Sequence, residues 1–273
     1  MATPKTDFPP VRACLFDMDG LLINTEDIYT LCHNILLATY SAGPMTWSIK
    51  SKLQGRPAHE AISLLLNWAN IPNISPAEYT QKLHIIQAEQ FPNAAPLPGV
   101  EKLLRDLKAT QKGDRKIYLA LATSSHEGHF KIKTQHLVEM FEVFEQDRRV
   151  LGDDPRIPKG RGKPSPDIYL VALQAINQGL PEGEEKIRPE ECLVFEDGIP
   201  GVIAGRRAGM RVVWVPHPGL AQEYLGKEAK ILAGLGEDES ADLEQIGTVG
   251  DGWAEQLESL EEFPYEKYGI VTF

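Results

Sequence analysis

The stretch Ala13-Cys14-Leu15-Phe16-Asp17-Met18-Asp19-Gly20 decides the fold. Four apolar residues run without a polar break and end on two acids with one residue between them. An unbroken apolar run of this length fits a strand covered on both faces, the habit of parallel sheets. Three more runs have this form. Residues 117–122 (IYLALA) end at Thr123, residues 192–195 (CLVF) end at Glu196-Asp197, and residues 211–215 (RVVWV) follow. Between them lie helical patterns: Val100, Leu103, Leu104 and Leu107 fall at i, i+3, i+4, i+7, and so do Ile168, Val171, Ala172 and Ala175. Strands alternating with helices predict an α/β fold with a doubly wound parallel sheet. Such sheets bind ligands beyond the carboxyl ends of their strands. The polar residues that terminate these runs are therefore expected to gather along one edge as a site.

One long gap lacks a strand signal. From about residue 25 to residue 96 the patterns are helical, at 28–42, at 58–69 (with Ile62, Leu65 and Leu66) and at 76–90. A helical insert of this size after the first strand is expected to form a cap over the sheet edge. Its ends fall at Asn24-Thr25 and Leu97-Pro98-Gly99, where Pro and Gly suit a hinge. The expected division is a discontinuous core of residues 1–24 and 97–233, a helical cap domain of residues 25–96, and an acidic C-terminal extension of residues 234–273.

Charge supports that last boundary. The formal net charge is −11, and from Ala221 onward 13 acidic residues face 3 basic ones. The body is close to neutral, and neither half offers the broad basic surface that drives binding to nucleic acid phosphates. The acidic tail is read as an aid to solubility, with Trp253, Phe263, Tyr265 and Tyr268 as anchors should it dock. No apolar run reaches membrane-spanning length, and residues 1–10 lack the apolar core of a signal peptide. A cytoplasmic monomer is the default expectation. Cys14, Cys32 and Cys192 form no CxxC pair, and buried free thiols are expected at Cys14 and Cys192.

Two carboxylates two residues apart can divide the labour of phosphate monoester hydrolysis. That reaction needs accelerations up to about 10²¹-fold, of which a general acid supplies about 10²–10⁴, so covalent and electrostatic catalysis must provide the rest. Asp17 at the strand end is the candidate nucleophile, and Asp19 the acid that protonates the leaving oxygen and then the base for water. Asp197 with Glu196 supplies the oxygen ligands that Mg²⁺ prefers. Lys163 offers a point charge for the phosphate, and Thr123 and Ser124 offer hydroxyl and backbone N–H donors. Alone, D-x-D-G arises by chance in about one chain in twenty, and the two acids could simply cap a turn. The ordered coincidence of four features raises the odds.

FDMDG (16–20), ATSS (122–125), GKPSPD (162–167) and VFED (194–197) resemble, in order, the four motifs of the haloacid dehalogenase (HAD) superfamily. The resemblance covers about residues 11–220. It implies a Rossmann-like core with a C1-type cap and a phospho-aspartyl intermediate on Asp17. It further implies Asp19 as acid/base, Thr123 and Lys163 on the phosphate, and Mg²⁺ on Asp17, the Asp19 carbonyl and Asp197, with Glu196 close by. Within the superfamily, GLLINTEDIY, LPGVEKLL, LGDDP, GKPSPDIYL, CLVFEDGIPGV and AGMRVVWVP are most similar to the pseudouridine-5′-phosphatase group. This implies a small phosphorylated nucleoside or sugar as substrate. The chain departs from the pattern at Asn24, where Asp is commoner, in an insert at 158–161, and in an acidic addition at 234–252.

Weaker signals resolve to plain roles. Gly160 to Lys163 fails the P-loop spacing. His126, His129 and His136 form no complete ligand set and are expected on a solvated helix face. Gly201, Gly205 and Gly209 are expected to pack a helix closely on the sheet. In the insert, Gly55-Arg56 precedes a helix, and Arg56 is expected to contact the leaving group. Two rival functions share the motifs. A phosphomutase of β-phosphoglucomutase type would carry a histidine where this chain has Tyr29, and a non-catalytic binding protein would be free to lose Asp17 or Asp19.

Overall fold

The computed structural model describes residues 3–110, 116–235 and 247–272. Among them, β1 (Ala13–Phe16), β2 (Tyr118–Ala122), β3 (Arg149–Val150), β4 (Cys192–Glu196), β5 (Arg211–Trp214) and β6 (Ala254–Gln256) form one sheet. The strand order is β3-β2-β1-β4-β5-β6 and every pairing is parallel. Helices α1 (Thr25–Thr39), α2 (Trp47–Leu53), α3 (Ala58–Trp68) and α4 (Pro76–Gln90) lie between β1 and β2, followed by α5 (Val100–Ala109). Next come α6 (Glu127–Thr134) and α7 (Val138–Phe141), then α8 (Asp167–Gln178), α9 (Ile199–Arg207), α10 (Pro218–Glu223) and α11 (Glu228–Leu232).

The unbroken apolar strands are explained by two cores, one on each face of the sheet. Cys14 and Phe16 of β1, with Leu193 and Phe195 of β4, enter one core. Ala13 and Leu15, with Cys192 and Val194, enter the other. Side chains alternate across a strand, so a strand buried on both sides must be apolar at every position. The first core takes Val100, Leu103, Leu104 and Leu107 of α5, and the second takes Ile168, Ala172 and Ile176 of α8. Cys14, Cys32 and Cys192 are all buried free thiols.

The two chain crossings of the helical insert are stitched together. The Asn24 N–H donates to Ala95 O at 3.0 Å, and Asn24 Oδ1 accepts the Ala95 N–H at 2.8 Å. The Leu97 N–H donates to Leu22 O at 3.1 Å. Asn24 thus serves as an acceptor, a role an aspartate could also fill. Helix α4 spans the expected residues and is capped by Ser75 Oγ, which accepts the Glu78 N–H. Helix α1 starts and stops about three residues early, at Thr25 and Thr39: Glu26 and Asp27 suit its first turn, and Ser41 just past its end takes a φ of 57°. Helix α2 has seven residues, too few for a clear period. Among the described residues no helix is long and apolar enough to cross a membrane.

The segment after residue 233 differs from the expected appended tail. Residues 236–246 lie outside the described residues, but β6 pairs with β5 at the sheet edge, and Leu260, Phe263, Tyr268 and Ile270 are buried in the first core. Phe263 stacks on Tyr268 at 5.3 Å and tilts against Phe195 at 5.2 Å. Arg206 of α9 pairs with Asp251 at 2.6 Å. Net charge says little about a segment that buries Leu260, Phe263, Tyr268 and Ile270, and solubility is no account of residues 247–272. Phe263→Ala is expected to cost about 3–5 kcal/mol, the usual penalty for emptying a buried aromatic site, as read by urea unfolding.

Candidate active site

Asp17 leaves β1 at the sheet's centre, its N–H donating to Phe195 O at 3.0 Å. The chain then turns sharply: Gly20 sits at φ 80°, and a Cβ there would come within 2.2 Å of Asp197 Oδ2. Only glycine allows that turn beside that carboxylate. From the end of β4, Glu196 and Asp197 meet Asp17, and one carboxylate oxygen from each of the three lies within 4.8 Å of the others. Lys163 Nζ reaches in from the loop before α8 and donates to Asp17 Oδ1 (2.5 Å), Glu196 Oε1 (2.6 Å) and Ala122 O (3.0 Å). Tyr169 Oη and the Gly198 N–H donate to Glu196 as well.

The electrostatics of this cluster are unbalanced. Burial pushes the Asp17 carboxyl up to about 7; Lys163 opposes this, while Glu196 and Asp19 add to it. Burial also holds Asp197 well above the carboxylate range, reinforced by Glu26, Glu196 and Asp17. For Lys163, burial disfavours the ammonium, but Asp17 and Glu196 outweigh it and hold the pKa above the ordinary lysine value. Three buried carboxylates around one ammonium leave excess negative charge, and the donors are all oxygens. That set fits a hard divalent cation. Gly201 gives Glu196 its place, because a Cβ there would lie 1.7 Å from Glu196 Oε1. Gly201→Ala is therefore expected to displace that carboxylate and weaken the cluster's hold on a divalent cation by about 10–100-fold, measured by calorimetric titration with Mg²⁺.

Asp19 has a different environment. Thr25 Oγ1 donates to its Oδ1 at 2.6 Å, Ser125 Oγ to its Oδ2 at 2.6 Å, and Lys133 Nζ to its Oδ1 at 2.5 Å. Burial alone would raise Asp19, but Lys133 with the hydroxyl donors outweighs it, and the carboxyl is held below its ordinary value. Lys133 also donates to Tyr29 Oη and to Ser125 Oγ, each at 2.8 Å. Lys133 was not legible as a site residue: on a helix, a lysine among His129, Lys131 and Gln135 reads as solvated. Ser125 lay inside a quoted motif without a role.

A cavity of about 290 Å³ opens above these groups, lined by Asp17, Asp19, Ser124, Lys163, Glu196 and Asp197 from the core. Gln54, Gly55 and Arg56 line it from the helical insert. Thr123 does not line it. That residue is fully buried at the end of β2, and its hydroxyl accepts the Ser125 N–H at 3.1 Å. Arg56 is exposed and its Nε donates to Lys52 O at 2.6 Å. Gln54 escaped the sequence reading. Its Oε1 is shielded from solvent and has no hydrogen-bond partner among the described residues. The expected solvated histidine face is only partly so: His129 is half-buried against Phe91, and burial, with Lys133, lowers it to about 4.

Comparison with known proteins agrees with this picture. Residues 11–209 match the family model of the haloacid dehalogenase-like hydrolases. A Saccharomyces cerevisiae protein named "Probable pseudouridine-5'-phosphatase" is 44% identical over 95% of this chain and 98% of its own length. The mitochondrial (DL)-glycerol-3-phosphatase 1 of Arabidopsis thaliana is 36% identical over 81% of this chain and 69% of its own. Among solved structures, a family IA HAD hydrolase from Entamoeba histolytica superposes with a TM-score of 0.64 at 22% identity, covering 94% of this chain and 97% of that one.

Proposed function

The chain belongs to the haloacid dehalogenase-like hydrolases, and from that membership we propose that it is a magnesium-dependent phosphatase of a small phosphorylated metabolite, working through a phospho-aspartyl intermediate on Asp17. The observation that carries this reading is the pair of buried carboxylates in two unlike settings. Asp17 lies within the acidic cluster beside Lys163, and Asp19 is held apart by its own lysine. Carboxylates whose surroundings push them apart divide into different roles.

In the proposed sequence, Asp17 attacks phosphorus as its carboxylate, and Asp19, which first takes up a proton against the pull of Lys133, gives that proton to the leaving ester oxygen. Asp19 then takes a proton from water, which releases phosphate and regenerates Asp17. The donors around Asp19 stabilise the carboxylate, the form in which it serves that second half. Lys163 would bind a phosphoryl oxygen, with Ser124 donating from the cavity wall and Thr123 bracing the strand end beneath. Asp17, Glu196 and Asp197 would hold Mg²⁺, which supplies charge neutralisation for phosphate and nucleophile. The helical insert of residues 25–96 acts as a cap, with Gln54, Gly55 and Arg56 against the leaving group. A cavity of about 290 Å³ is at the small end for metabolite sites. It suits a nucleoside 5′-phosphate such as pseudouridine 5′-phosphate, or a sugar phosphate; the name of the yeast relative supports the first class, and that of the plant relative a small phosphorylated metabolite more broadly.

The test is phosphate release from a panel of nucleoside and sugar monophosphates, with Mg²⁺ and with EDTA. Release that needs the metal is expected. An isomeric phosphate in place of inorganic phosphate would instead indicate a mutase. No reaction on any compound would favour a binding protein.

A further inference from the structure

We propose that Lys133 is a positioning residue that holds the acid/base Asp19 and ties its placement to the seating of the helical insert, through the contact chain Tyr29–Lys133–Asp19. This rests on the role given to Asp19 above.

The Lys133 side chain is 0% exposed. Lysine is almost never fully buried without a partner, and an ammonium has three donors to satisfy. Lys133 uses them on Asp19 Oδ1, Tyr29 Oη and Ser125 Oγ. The rings of Tyr29 and Phe91 flank the ammonium, with centroids at 4.6 and 4.7 Å. These partners come from different parts of the chain. Lys133 stands on α6 of the core, Tyr29 on α1, and Phe91 just after α4, so both ends of the insert close on one core lysine. Lys133 does not line the cavity above Asp17, where Lys163 is placed for the phosphate. Its single carboxylate partner among the described residues is Asp19.

Stability alone gives little reason for such a pair, since a buried ion pair can often be replaced by apolar residues without loss. Geometry gives a better one. Thr25 and Ser125 each hold one oxygen of Asp19, and Lys133 bonds both the Asp19 carboxylate and the Ser125 hydroxyl. Without the ammonium, Ser125 loses a donor and Asp19 loses one of its three fixed contacts. Proton transfer demands hydrogen-bond reach to the leaving oxygen, so a loosened Asp19 should fail as an acid while Asp17 still attacks.

The experiment compares two esters in rapid-mixing kinetics with Mg²⁺, using full-length wild type, Lys133→Met and Tyr29→Phe. p-Nitrophenyl phosphate releases a phenolate that leaves without a proton, whereas glycerol 3-phosphate releases an alkoxide that needs one. In Lys133→Met, phosphoryl transfer from the alkyl ester is expected to fall by about 100-fold, with KM little changed, while the first-turnover release of nitrophenol persists. Tyr29→Phe removes one link of the chain and keeps the packing; it is expected to show the same selective pattern in weaker form, and it carries the test should Lys133→Met fail to fold. Equal losses on both esters, or no loss on either, would overturn the proposal. A wild type that releases no inorganic phosphate from either ester in Mg²⁺ would overturn the phosphatase reading itself, and this inference with it.

Discussion

Asp17→Asn is expected to abolish turnover while leaving the fold at least as stable as before. Loss of a catalytic nucleophile costs roughly 10⁴-fold or more in rate. The stability argument runs the other way. Asp17 is only 6% exposed, and burial pushes its carboxyl from the ordinary 3.8 to about 7, so in metal-free protein the ion is disfavoured where it sits. Asparagine keeps the shape and removes the charge, and Lys163 retains Glu196 and Ala122 O. Because the folded pKa is raised, the native state holds a proton that the unfolded chain has already lost between about pH 4 and pH 7. Metal-free wild type should lose stability from this group as pH rises through that window, and Asp17→Asn should not. Thermal melts at pH 5 and pH 8 without Mg²⁺ check the sign. A variant that melts clearly below wild type at pH 8 would contradict it.

Asp19→Asn, two residues on, is expected to lower activity and stability together. Removing an acid/base costs about 10²–10⁴-fold on esters with poor leaving groups. The same change leaves the fully buried Lys133 without the carboxylate it pairs with, and an uncompensated buried charge costs about 3–5 kcal/mol. Urea unfolding of the two variants side by side measures the contrast. Equal stabilities for Asp17→Asn and Asp19→Asn would mean that the two carboxylates do not sit in the unlike fields described.

Much of this was legible in the sequence, for physical reasons that also explain the gaps. Strands β1, β2, β4 and β5 announce themselves because burial on both faces demands unbroken apolar runs. Two-residue β3 and three-residue β6 cannot, and β6 reads Ala-Glu-Gln, with no pattern of its own. It is held by the backbone of β5 and by Leu260, Phe263 and Tyr268 packed beneath. Asp17, Glu196 and Asp197 were placed by where their strands end. Lys163 comes from an irregular loop with no period, and the need of an anionic site for a cation, together with the motif resemblance, singled it out. Lys133 escaped because helical periodicity assigns a lysine to solvent. It is buried here because Tyr29 and Phe91, more than 40 residues away in sequence, close over it. Gln54 joins the cavity only through the folding of the insert, which no local pattern encodes.

The most direct test of the central claim is rapid-quench trapping with a ³²P-labelled monoester in the presence of Mg²⁺, followed by mapping of the acid-stable, base-labile label. The account expects label on Asp17 during turnover and none in Asp17→Asn. Phosphate released with no labelled enzyme, or label on any other residue, would contradict it.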